Sequence, residues 1–220
     1  MTERDRLELA NGWYEAAVFG GDDAALPAAE RELDAVEADL ALARGRITHA
    51  RFLAAREHGE GRDDPGEAAS FERAAELYRQ LGDVRGEGEA AFWLGAYHQV
   101  VRDDGDAALP YLERARTLAT ETGDRLTLSY VLRHLGFAEH TAGRLDAARE
   151  LLTESTRLRR ELGFLPGVAA NLVGLAYVSA AQGRPDEAVA YLDEGVRLAE
   201  ASDARGILRQ LDEARTDLDT

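Results

Sequence analysis

The sequence predicts an all-α fold, an α-α solenoid of helical hairpins stacked one on the next, and three observations carry that prediction. The segment GDRLTLSYVLRHLGFAEHTAGRLDAARELLTESTRLRREL at 123–162 has a recognisable copy on each side, the copies being opened by Gly82, Gly123 and Gly163. Thirteen residues after each opener stands a small residue, Gly95, Gly136 or Ala176, and twelve or thirteen beyond it an alanine, Ala108, Ala148 or Ala188. Self-similarity at this period marks stacked supersecondary units, none of which can bury its apolar face alone. Composition agrees, because 45% of residues are hydrophobic but only 7% aromatic, and Ala, Leu, Glu and Arg dominate over β-branched residues. That usage forms helices and offers little for sheets.

In chain order, five hairpins are expected, at 3–40, 41–81, 82–122, 123–162 and 163–201, followed by a closing helix at 203–218, all within one repeat domain spanning 1–220. The first pair rests on DAALP at 23–27, which repeats DAALP at 106–110 two periods later. Between Pro27 and His58 only Gly45 offers punctuation, so a single long or bent helix is the alternative there. In the second pair, RFLAAREHGE at 51–60 precedes DPGEAASFERAAELYRQLGD at 64–83, with Ala54 in the small position and Ala74 aligned with Ala115. The best-patterned copy places Leu128, Val131, Leu132, Leu135 and Ala138 on one helical face, then Leu145, Ala148, Leu151, Leu152 and Leu158 on the next. The junctions DDGD at 103–106, AGR at 142–144 and QGRPD at 182–186 supply Gly to release one helix and Asp or Pro to begin the next. The 3–40 and 203–218 segments are expected as caps, with lower pattern fidelity.

The charge balance excludes several function classes. With 26 basic against 42 acidic residues the formal net charge is −16, and every basic residue is an arginine. Nucleic-acid binding needs clustered positive charge and is not expected; solubility, or attraction of a basic partner, is what the acidity serves. The absence of cysteine removes disulfides, thiolate metal sites and cysteine nucleophiles. No signal-peptide-like start and no run of about 18 apolar residues occurs, so a soluble cytoplasmic protein is expected, with no membrane partner.

Helix pairs with Leu-Gly in the first helix, Gly in the turn and Ala in the second resemble the tetratricopeptide repeat. The residues that carry the likeness are Leu94-Gly95, Leu135-Gly136, the turn glycines Gly143 and Gly183, and Ala108, Ala148 and Ala188. The unit here is 40 to 41 residues rather than the usual 34, similar to the long-repeat variety found in bacterial regulators and in motor- and polarity-adaptor proteins. In RGEGEAAFWLGAYHQVVR and LGFLPGVAANLVGLAYVSAAQGR the chain is also similar to stand-alone actinobacterial proteins of this type and to sensor arrays attached to transcriptional activators. The likeness implies a right-handed superhelix and a concave groove that binds a peptide or protein segment. Counting from the small residue of each first helix, the groove positions −6, −3, +1 and +4 are Thr48, Arg51, Ala55, His58; Glu89, Phe92, Ala96, Gln99; Tyr130, Arg133, Phe137, His140; and Ala170, Val173, Tyr177, Ala180. Of these Arg51, His58, Phe92, Gln99, Tyr130, Arg133, His140 and Tyr177 are the candidate ligand contacts. Guanidinium forks suit carboxylates or phosphates and the aromatic rings add apolar area, which points to an acidic peptide or small anion.

Position +3 departs from the family pattern, holding Glu57, His98, Glu139 and Ser179 where a large apolar residue is normal. Either this row is paired internally or turned outward, or His98, His134 and Glu139 form an inner site. The five histidines, His49, His58, His98, His134 and His140, lack the i,i+3 or i,i+4 spacing of metal ligands, so neither metal nor cofactor is expected. Walker lysine, GxSxG and glycine-rich loop are all missing, and Trp13 and Trp93 are read as packing residues. The leading reading is a non-catalytic adaptor or regulator. The alternative is a small-molecule sensor or enzyme site around His98, Arg133, His134, Glu139 and His140, and self-association as a homodimer is a third.

Overall fold

The structure, a computed structural model, describes residues 2–218, and among them the regular elements are all helical. The helices are α1 (Glu3–Gly20), α2 (Leu26–Arg56), α3 (Pro65–Leu81), α4 (Val84–Ala96), α5 (Gly105–Thr122), α6 (Arg125–Thr141), α7 (Leu145–Glu161), α8 (Leu165–Ala181), α9 (Pro185–Ala201) and α10 (Arg205–Leu218). A 3-10 turn at Asp23–Ala25 leads into α2, and a π-helical segment, Tyr97–Val101, prolongs α4. The chain divides into two compact units, one running to Leu118 and the other starting at Ala119.

In the first unit α2 packs against both α1 and α3, and α3 against α4. Leu42, Phe71, Leu77, Tyr78 and Leu94 form the core, with Trp93 stacked on Phe71 at 5.7 Å. The expected boundary at 40/41 falls inside α2, a continuous helix of 31 residues. Gly45 is not punctuation there. A Cβ on it would lie 2.4 Å from the Phe71 ring, so glycine is what lets α3 approach. Gly45 therefore fills the role expected of Ala54, which is exposed. The corresponding crossings are Gly95 with Leu112 and Gly136 with Leu152, where an added Cβ would sit 2.7 and 2.9 Å from the leucine. Large residues facing small ones at each crossing bring the helix axes together, and enlarging the small one overpacks the joint.

In the second unit successive helices α6 to α10 pack in order, and α8 also touches α6 and α10. The α8 sequence LPGVAANLVGLAYVSAA carries no charged residue, and a helix apolar on every side belongs in the interior. Leu172, Leu175 and Val178 pack with Ala148 and Leu152 on one side, while Ala169 and Ala176 meet Ala188, Leu192 and Leu211 on the other. Arg149 on α7 clamps the next hairpin, donating to both oxygens of Glu187 at 2.8 Å and to Gln182 and Ser179.

Left-handed residues mark the turns at the repeat interval. Gly82, Gly123 and Gly163 have φ near +70°, and the next position in the series is Asp203 at +48°. Gly143 and Gly183 end α6 and α8, but the matching residue after α4 is Asp103 at +52°, not the Gly105 that the sequence suggested. In the GD pairs the second residue caps the helix that follows: Asp83 accepts from Gly86 N at 2.9 Å and Asp124 from Thr127 N at 3.1 Å. The π-helical segment explains the uneven period. Asp103 lies eight residues after Gly95, whereas Gly143 and Gly183 lie seven after Gly136 and Ala176. The extra residue falls between 95 and 103, and the wider turn of residues 97–101 takes it up.

Candidate functional site

The second unit buries a polar cluster at positions that are small or apolar elsewhere in the array. Ser129 stands where Gly88 and Ala169 stand, Ser155 where Ala115 and Gly195 do, Arg159 where Ala119 and Ala199 do, and Asn171 where Ala90 and Val131 do. Each of the four has a relative exposure of 1% or less. Repeat-to-repeat comparison at core positions, rather than groove positions alone, carries the signal that finds them.

Asn171, mid-way along α8, organises the cluster. Its Oδ1 accepts from Arg159 Nη1 at 2.9 Å and from Arg133 Nη1 at 3.0 Å, while its Nδ2 donates to Ser155 Oγ at 2.8 Å. Arg159, on α7, also donates from Nη1 to Gly167 O at 2.8 Å and from Nε to Ser129 Oγ at 3.3 Å. Its Nη2 is buried with no hydrogen-bond partner among the described residues. Arg133, on α6 and half-buried, donates from Nη1 to Ala170 O at 2.5 Å. Aromatic rings take the faces of both guanidinium groups, with Arg133 4.4 Å from the Phe137 centroid and Arg159 4.7 Å from Tyr130 and 5.6 Å from Phe164. Neither arginine forms an ion pair with a carboxylate among the described residues, and the acceptors they share are neutral. Burial pushes the pKa of Arg133 down to about 9, helped by the neighbouring Arg159, and burial pushes that of Arg159 down to about 10. Both remain charged at neutral pH. A buried cation without a counter-ion is costly, whereas an anion brought to it recovers much of that cost.

Two of the candidate ligand contacts thus belong to this cluster, Arg133 directly and Tyr130 through its ring, joined by the groove positions Phe137 and Ala170. The others are placed differently. Phe92 is 2% exposed and packs edge-on to Trp93 at 5.1 Å, so it is core rather than groove surface. Arg51 lies exposed on α2 and His58 exposed just beyond its end, because the register there is set by Gly45 and not by Ala54. Gln99 sits half-buried in the π-helical segment. The Tyr177 hydroxyl donates to Asp217 at 2.8 Å, and burial, together with that bond, pushes its pKa up to about 12. His140 lies half-buried in the last turn of α6, and its carbonyl accepts from Gly143 N at 2.9 Å.

Two members of the polar row, Glu139 and Ser179, are hydrogen-bonded by neighbouring groups. Glu139 takes a two-point ion pair from Arg144, which holds its carboxyl below the usual range. Ser179 donates to Leu175 O at 2.8 Å and accepts from Arg149. His98 stacks on Tyr111 at 5.3 Å in the first unit, and His134 lies edge-on to Phe137 at 6.3 Å in the second. Trp13, expected as a packing residue, is 39% exposed, and Trp93 packs as expected. Among the described residues no three His, Asp or Glu side chains gather to hold a metal ion, and no helix is long and apolar enough to cross a membrane.

Comparison with known proteins agrees with the helix order. A family model described as tetratricopeptide repeat matches residues 88–161 and again 131–201. No curated protein matches the chain. The two family matches together cover more than half of the sequence, and their ends coincide with the C-termini of α7 and α9, where hairpins close. The chain belongs to the tetratricopeptide repeat family.

Proposed function

We propose that this chain is a non-catalytic interaction module, an adaptor or regulator working in the cytoplasm, that takes an extended protein segment carrying a carboxylate and anchors it at Arg133. Tetratricopeptide repeats suggest protein interaction in general. The observation that carries the finer reading is the pair Arg133 and Arg159, two desolvated guanidinium groups that share the Asn171 amide oxygen and have no acidic partner among the described residues, in a chain with a net charge of −16. A carboxylate on the ligand supplies the missing charge, with Arg133 as the more accessible arm and Tyr130 and Phe137 offering apolar contact.

The test is fluorescence anisotropy with a labelled Glu-rich dodecapeptide and its Gln-for-Glu counterpart. Wild type should bind the acidic probe better, and more weakly as salt rises. Arg133→Ala should weaken binding by about 10- to 100-fold, the loss expected of one charge-assisted contact. Arg133→Lys should restore only part of it, since an ammonium lacks the planar fork. Arg157→Ala, which removes an exposed arginine paired with Glu154 and Glu161, should change nothing. Equal affinity for the two peptides, or equal loss in the Arg157 variant, would place the functional surface elsewhere.

A further inference from the structure

We propose that α2 is a self-association helix, through which two copies of this chain pair antiparallel about a two-fold axis near Leu40. Four large apolar side chains recur along it every seven residues, Leu26, Leu33, Leu40 and Ile47, and each is exposed, by 43%, 47%, 47% and 55%. With Ala29, Val36, Ala43 and Ala50 standing three residues after them, apolar positions recur at the alternating three-four spacing of a coiled-coil seam, and the large residues face away from α3, which takes the opposite side through Ala38, Leu42 and Gly45. From Leu26 to Ile47 the seam runs roughly 30 Å at the α-helical rise. Exposed apolar stripes of this length mark interaction surfaces.

The charges beside the seam select the occupant. Four residues after each apolar position stand Glu30, Glu37, Arg44 and Arg51, all exposed, two acids followed by two bases. A parallel copy would bring Glu32 beside the other copy's Glu37 and Arg46 beside its Arg51, two like-charge contacts against the single opposite-charge contact of Asp39 with Arg44. An antiparallel copy centred on Leu40 sets Leu33 opposite Ile47, Glu37 beside Arg44 and Glu30 beside Arg51, so the surface is complementary to itself, as an isologous interface requires. Within one chain Glu30, Arg44 and Arg51 enter no ion pair among the described residues. Glu37 meets Arg73 at 2.8 Å in an exposed pair of little energetic weight. A cleft of about 430 Å³ between α1 and α2, lined by Leu7, Tyr14, Leu26 and Leu33, lies where the second copy's Ile47 would enter. On the exposed C-terminal half of α2 the side that faces the other copy's α1 carries only Ala43 and Ala50, which lets the helices close.

Sedimentation velocity of the full chain distinguishes the outcomes. Wild type at about 50 µM should sediment as a dimer of the 24.0 kDa chain. Two charge variants, Glu30→Arg with Glu37→Arg and Arg44→Glu with Arg51→Glu, should each raise the dimer dissociation constant by at least about tenfold, and their equimolar mixture should form a heterodimer as tight as wild type. Leu40→Glu should be monomeric. All the substituted side chains are exposed, and circular dichroism of each variant confirms that helicity is kept. A monomeric wild type, or charge variants that dimerise alone as well as when mixed, would overturn the proposal. Neither outcome bears on peptide binding at Arg133, whose residues are in the other unit.

Discussion

Asn171 shows what a single residue decides in this molecule. One neutral amide oxygen serves two guanidinium groups, that of buried Arg159 and that of half-buried Arg133. Asn171→Asp would put a carboxylate there at nearly the same volume, at the cost of the hydrogen bond that the amide donates to Ser155. That bond is worth about 1 kcal/mol, and a buried pair with two arginines more than offsets it. The variant should therefore unfold at higher urea concentration, by about 1 to 2 kcal/mol, and should lose affinity for the acidic probe because the charge it would supply is already present. Lower stability would mean that the arginines are adequately compensated as they stand. Arg133 was legible in the sequence, from its place in the repeat. Arg159, Asn171, Ser129 and Ser155 were not, because they occupy core positions where the repeat pattern leads one to expect packing alone. Phe92 and Glu139 are engaged locally in ways that the repeat pattern does not show, Phe92 packed edge-on to Trp93 and Glu139 paired with Arg144 from the adjoining turn.

Among the elements, hairpins from α4 to α9 follow the sequence pattern, since the turn glycines and the Gly95 and Gly136 crossings recur at intervals of 40 or 41 residues. The departures occur where one residue type can serve two ends. Gly45 reads as a helix break but is a packing site under Phe71, and Asp103 adopts a left-handed conformation that glycine usually supplies. The π-helical turn is a third, visible in the sequence only as a 41-residue spacing beside spacings of 40. If that turn absorbs an inserted residue, deleting Val100 should convert it to α-helix and keep a cooperative thermal transition, with Tm lowered by less than about 5 °C. Deleting Ala138 from α6, which has no residue to spare, should cost at least twice as much. Equal losses would show that the π-helical turn does not hold the insertion.

The whole molecule is a tetratricopeptide repeat protein with a net charge of −16, whose second unit holds two arginines that have no acidic partner among the described residues. In the proposed function these arginines, rather than the many exposed ones, receive the anionic part of a partner. Most exposed arginines are already matched, for example Arg160 with Glu194 at 2.6 Å and Arg215 with Asp193 at 2.6 Å. The most direct measurement is nitrogen-15 NMR of the arginine side chains during titration with the Glu-rich dodecapeptide, assigned through Arg133→Lys and Arg159→Lys. The account predicts that the resonances of Arg133 and Arg159 shift together and saturably, with those of Arg157 and Arg160 unmoved. Shifts confined to the exposed arginines, with Arg133 and Arg159 unchanged at saturation, would contradict it.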